Sequence, residues 1–133
     1  MIASAPHSAH ALDPKRAPSQ YVHDVWTEAG DLPLSTVTGI AQTADGYLWL
    51  GTQEGLFRFD GVRFEVFRPA NTTAMRRKSI ADITLGRDGS LWIAVHGGGV
   101  LRKKADAWET YGPKEGLTTD TASDLLADRK GRL

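Results

Sequence analysis

The sequence predicts an all-β chain built from repeated four-stranded antiparallel sheets, and three observations predict it. The segment Asp45-Gly46-Tyr47-Leu48-Trp49-Leu50 returns 43 residues later as Asp88-Gly89-Ser90-Leu91-Trp92-Ile93. Glycine turn signals divide each repeat into four short segments rich in β-branched, aromatic and aliphatic residues, which favour strands. Fourteen glycines in 133 residues punctuate the chain too often for helices. Four short strands in roughly 40–45 residues is the period of a β-propeller blade.

Residues 1–19 are rich in Ala, Ser, His and Pro and show neither strand nor helix period. They read as a flexible leader or the remnant of a signal peptide. Ala9-His10-Ala11 has the small-x-small form of a cleavage site, without a basic start or an apolar stretch before it. Residues 20–36 read as the outer strand of a split blade, Gln20–Trp26, and a linker around Gly30. That linker has its counterpart at Glu115-Gly116-Leu117, after the corresponding outer strand. Residues 37–79 form the first repeat, with strands expected at Val37–Gln42, Tyr47–Thr52, Leu56–Asp60 and Arg63–Phe67.

Residues 80–121 form the second repeat. Ile80 and Ile83 match Val37 and Ile40, and Gly99-Val100-Leu101-Arg102 matches Gly55-Leu56-Phe57-Arg58. The second offset is 44 because His96-Gly97-Gly98-Gly99 holds one extra residue. Residues 122–133 read as the truncated start of a third repeat. Ala122 and Leu125 continue the apolar register, and Gly131 takes the place of Gly46 and Gly89. Asp45-Gly46 and Asp60-Gly61 signal type I′ hairpins. Tyr47, Trp49 and Gly51 alternate with Leu48 and Leu50, so both faces of the strand are apolar, as in a sheet sandwiched between neighbours.

Composition excludes several functions. Sixteen basic residues balance sixteen acidic ones, so there is no global footprint for nucleic acid or an anionic membrane. No cysteine is present, which removes disulfides, thiolate metal sites and thiol nucleophiles. His7, His10, His23 and His96 lack metal-ligand spacing, and no metal or cofactor is expected. The glycines open no phosphate-binding helix motif, and His96-Gly97-Gly98-Gly99 has no nucleophile elbow to serve as an oxyanion loop. No acidic pair has a catalytic context. Met75-Arg76-Arg77-Lys78 and Arg102-Lys103-Lys104 read as solvated loop and edge charge. Trp49 and Trp92 recur at one repeat position and read as packing anchors. The repeat framework is carried by Asp45, Gly46, Trp49, Gly51 and Gly55 with Asp88, Gly89, Trp92, Gly99 and Gly131. Gln53 and His96 occupy the loop after the tryptophan strand and are the candidate ligand contacts, since propeller loops border binding faces.

The run Gln20-Tyr21-Val22-His23-Asp24-Val25-Trp26, then Leu32-Pro33, then Asp45 through Gly61 with its Trp49-Leu50-Gly51-Thr52-x-x-Gly55-Leu56 core, resembles the two-component regulator propeller family. The resemblance spans 20–133. The second repeat departs from it, with Ala94-Val95 in place of Gly-Thr. The resemblance implies the periplasmic sensor region of hybrid histidine kinases and related receptors, with further blades beyond this chain. It also implies a glycan-derived small-molecule ligand and a kinase or diguanylate cyclase output elsewhere.

Two functions from different classes fit. The favoured one is a ligand-sensing fragment that is not itself an enzyme, and whose partners are a small molecule and the remaining blades. The alternative is a fragment of a propeller lyase or glycosidase, or an inactive truncated product. Two repeats leave apolar blade sides open, so self-association of the isolated chain is expected.

Overall fold

The structure is a computed structural model that describes residues 36–133. The expected leader (1–19) and all but the last residue of the expected outer-strand and linker segment (20–36), with His7, His10 and His23, lie outside the described residues. Eight strands follow in order: β1 (Val37–Gln42), β2 (Leu48–Thr52), β3 (Gly55–Phe59), β4 (Phe64–Phe67), β5 (Ile80–Leu85), β6 (Leu91–Val95), β7 (Gly99–Lys104) and β8 (Ala107–Tyr111). They form two antiparallel meanders, β1-β2-β3-β4 and β5-β6-β7-β8, which are two propeller blades.

Register places the alternating side chains on defined faces. Ala41 pairs with Trp49, Trp49 with Arg58, and Arg58 with Glu65; Gly39, Gly51, Leu56 and Phe67 continue the same face. In blade 2 the opposite face carries Ile83, Ile93 and Leu101 in one cross-strand row. These two faces meet. Trp49, Leu56, Ile80, Ile83, Leu91, Ile93, Val95 and Leu101 form one buried cluster, joined by Met75 from the inter-blade connection. The close approach depends on Gly51: a Cβ there would lie 2.7 Å from Ile80 Cγ2 and 3.3 Å from Ile83 Cγ2, inside van der Waals contact. Thr38 Oγ1 also donates to the Ile80 carbonyl at 3.0 Å across the gap.

The same repeat position behaves differently in the two blades. Ile80 and Ile83 are 0% and 5% exposed, whereas Val37 and Ile40 are 45% and 61% exposed. Burial of these residues therefore comes from a preceding blade and not from their own sheet.

Two expectations are corrected. Asp45-Gly46 and Asp60-Gly61 are not type I′ turns, because neither aspartate adopts positive φ. Gly46 N–H donates to the Thr43 carbonyl at 2.9 Å and Thr43 N–H to the Tyr47 carbonyl at 3.0 Å. The loop is thus the three-residue form in which a left-handed glycine, Gly46 at φ 91°, follows the turn as a bulge. At the next hairpin positive φ falls on Gly61 alone (101°), as in a type II′ turn. Second, Arg102-Lys103-Lys104 lies on β7, an interior strand. Register sets alternate residues on opposite faces. Arg102 stands over Trp92 at 5.3 Å, while Lys103 reaches Trp49 of the other blade at 5.5 Å.

The glycine-turn geometry occurs a third time. Asp128 N–H donates to the Arg132 carbonyl at 2.8 Å and Gly131 N–H to the Asp128 carbonyl at 3.0 Å, with Gly131 at φ 82°. This segment is tied to blade 2 by Leu125 N–H on Asp82 Oδ2 at 3.0 Å and by Gly99 N–H on the Asp120 carbonyl at 2.8 Å.

Candidate functional site

Each blade has two ends. One end carries the β1–β2 and β3–β4 turns of blade 1 and their equivalents in blade 2. The other carries the β2–β3 and β6–β7 loops and the connections between blades. Gln53 and His96 occupy those two loops at the second end, and both are exposed. The His96 N–H is fixed by the Ser79 carbonyl at 2.9 Å, but neither side chain makes a hydrogen bond or ion pair among the described residues. Beside them Lys78 pairs with Glu54 at 2.6 Å, which holds the Glu54 carboxyl below its ordinary range. Arg76 and Arg77 are exposed, while Met75 of the same run is buried in the core.

The first end is more elaborately built. In blade 1 the Arg58 guanidinium lies 4.4 Å from the Tyr47 ring centroid and 5.7 Å from that of Trp49, and pairs with Glu65. In blade 2 Arg102 covers Trp92, pairs with Glu109 at 3.0 Å and with Asp88 at 2.6 Å. Glu109 accepts from the Tyr111 hydroxyl at 2.9 Å; this bond and Arg102 lower its pKa. Asp88 is held well below the ordinary carboxylate range by Ser90, Lys104 and Arg102. Neither arginine–glutamate pair was singled out in the sequence. The available signal was that both are seven residues apart across the β3–β4 and β7–β8 turns.

Trp49, Asp88 and Lys104, and again Asp88, Trp92 and Arg102, stand on the walls of a cleft between successive glycine turns, and the cleft occurs twice. The first, of about 320 Å³, lies between blades 1 and 2 and is lined by Thr43, Asp45, Trp49, Asp88, Lys103 and Lys104 among others. The second, of about 470 Å³, lies between blade 2 and the 128–132 turn, with Arg87, Asp88, Trp92, Arg102 and Lys130 on its walls. Both volumes fall in the range of small-molecule pockets. Trp49 is 2% exposed and its Nε1 donates to Thr43 Oγ1 at 3.0 Å, as a packing anchor requires. Trp92 is half-buried, and Gly86 replaces the threonine. The framework residues Asp45, Gly46, Asp88, Gly89 and Gly131 shape these turns, and Gly51, Gly55 and Gly99 lie at blade contacts or strand starts. Among the described residues no cluster of three or more His, Asp or Glu side chains could hold a metal ion. No helix there is long and apolar enough to cross a membrane.

A pair of stacked four-stranded meanders with a recurring tryptophan strand defines a β-propeller segment. Residues 31–54 match the two-component regulator propeller family. A histidine kinase P4 from Formosa agariphila is 36% identical over 67 residues, covering 49% of this chain and 5% of that protein. The crystal structure of the extracellular domain of a hybrid two-component system from B. thetaiotaomicron superposes with a TM-score of 0.68 at 22% identity. That match covers 82% of this chain and 16% of the neighbour, and it shows the propeller fold. The chain thus spans a small fraction of both relatives.

Proposed function

We propose that this chain is part of the extracytoplasmic ligand-sensing propeller of a hybrid histidine kinase receptor, and that it recognises and does not catalyse. The observation that carries the reading is the family repeat at 31–54 set in a face-to-face pair of blades whose turns enclose recurring polar clefts. The extracellular origin of the structural neighbour and the kinase relative support it. A glycan-derived ligand acts by binding two receptor geometries with different affinity, which biases the output module without chemistry at the propeller. The partners in this reading are that small molecule and the remaining blades.

A thermal-shift screen of the chain against glycan-derived mono- and oligosaccharides tests recognition. A ligand at about 100 times its Kd stabilises the folded state by about 2.7 kcal/mol, a rise of several degrees in Tm. Turnover of any compound in the same panel would contradict the reading and favour a propeller lyase or glycosidase. Fractionation of cells carrying the natural gene product tests the location: recovery in the cytosol would contradict it.

A further inference from the structure

A third groove, of about 480 Å³, opens on the outer rim between β4 and β8, the last strands of the two blades. Phe67 of blade 1 and Trp108 and Thr110 of blade 2 form its walls, and residues 71–74 of the connection between the blades line its floor. The floor is fixed from within. Asn71 Nδ2 donates to the Val66 carbonyl at 2.7 Å, and Asn71 Oδ1 accepts from the Arg68 N–H at 2.7 Å and the Thr72 hydroxyl at 3.2 Å. Thr110 Oγ1 ties β8 to it by donating to the Ala74 carbonyl at 3.4 Å. The rings of Phe67 and Trp108 lie 5.8 Å apart, inclined at 48°. Two polar groups are left over: the Trp108 indole N–H and the Thr73 hydroxyl make no hydrogen bond among the described residues. Thr73 is exposed. The indole nitrogen is open to solvent, since Arg102 Nε is the one side-chain polar atom both buried and unpartnered among the described residues. No ionisable side chain lines the groove. Lys103 stands 5.8 Å from the Trp108 ring but donates to the Ala105 carbonyl.

We propose that this rim groove binds an uncharged sugar ring, which packs an apolar face on Trp108 and Phe67 and hydrogen-bonds the Trp108 N–H and the Thr73 hydroxyl. The site is separate from the turn-end clefts and from the Gln53 and His96 loops, and it stands whether or not the propeller senses a ligand elsewhere. The chemistry follows from the lining. Aromatic walls favour an apolar surface. A free N–H and a hydroxyl that both donates and accepts match ligand hydroxyls, which do the same. A charged ligand would lose hydration here with no counter-charge in return. A purely apolar ligand would leave the N–H and the hydroxyl unpaired. A pyranose has C–H faces and hydroxyl edges, so it meets both conditions.

The test is a ¹H–¹⁵N NMR titration of the chain with the methyl glycosides of galactose, glucose and mannose, and with sodium galacturonate, glycerol and indole. At least one methyl glycoside is expected to shift the Trp108 indole N–H and the Thr73 and Thr110 amides, with galacturonate binding no more tightly. Trp108→Phe keeps an aromatic ring and removes the N–H; Thr73→Val, at an exposed position, keeps the shape and removes the hydroxyl. Each weakens glycoside binding by roughly fivefold, read at the Thr110 amide, as the loss of a neutral hydrogen bond does. Tighter binding of galacturonate, equal shifts from glycerol or indole, or an affinity indifferent to both substitutions overturns the assignment. Glycoside shifts confined to the turn-end clefts or to the Gln53 and His96 loops overturn the rim groove while leaving ligand sensing intact. No rim shift from any of the three glycosides overturns it as well, and a flat thermal screen beside that result overturns both.

Discussion

Ile83 and Ile40 are the same residue type at the same repeat position, one blade apart, and replacing each with alanine isolates what blade stacking contributes. Each substitution removes three carbons. Ile83 is 5% exposed, so at about 0.8 kcal/mol per buried methylene the transfer loss is about 2.4 kcal/mol. A cavity against Gly39 and Gly51 adds about 1 kcal/mol. Ile40 is 61% exposed, so its loss is about 1 kcal/mol. Strand propensity falls equally in both and cancels. The expected difference is about 2 kcal/mol, close to a 1 M difference in urea midpoint at a slope of about 2 kcal/mol/M. Tryptophan fluorescence during urea unfolding reads it, with Ile83→Val as a milder variant costing about 1 kcal/mol. Equal costs for Ile83→Ala and Ile40→Ala would refute the claim that the neighbouring blade buries this position.

Three further outcomes follow from particular contacts. Ala105 is the one described non-glycine residue with positive φ (48°), where blade 1 has Gly61. Ala105→Gly is expected to stabilise by about 0.5–1 kcal/mol, since relief of about 1–2 kcal/mol of strain outweighs the entropy of a glycine; a lower Tm would contradict this. Thr43→Val leaves the Trp49 indole N–H without an acceptor and is expected to cost about 1–2 kcal/mol, with faster exchange of that proton by NMR. The Asp88 pKa is depressed in the folded state by Ser90, Lys104 and Arg102, so these hydrogen-bonded pairs stabilise above the unfolded value of about 3.9 and the stabilisation is lost as pH falls below it. Asp88→Asn is therefore expected to flatten the acid side of the stability profile below about pH 4, and an unchanged profile would refute the role of these pairs.

The strands were legible because the sequence states them twice. β1 matches its expected bounds, and β2, β3 and β4 differ by one residue at their ends, where hydrogen-bond ladders fray. The stacked faces were legible from the alternation of Trp49 and Gly51 with Leu48 and Leu50. The turn type was not. Asp-Gly fits both a two-residue type I′ loop and a longer bulged loop, and cross-strand register, which dipeptides do not encode, decides between them. The cleft was legible only in part. Its aspartates and tryptophans stood in the repeat, but its arginines become neighbours of those tryptophans only through pairing, as Trp49↔Arg58 and Trp92↔Arg102 show. The change from Thr43 to Gly86 was visible as a mismatch between the repeats. Its consequence, a Trp92 indole N–H with no acceptor among the described residues, needs the geometry of the turn.

The most direct measurement is the set of nuclear Overhauser contacts between the two sheets. The Ile80 γ2 methyl stands close enough to Gly51 that an added Cβ would meet it at 2.7 Å, so strong cross-peaks from Ile80 and Ile83 methyls to the Gly51 α-protons are predicted. Backbone cross-peaks instead pairing β4 with β5 in one continuous sheet, with none from those methyls to Gly51, would contradict the stacked-blade account.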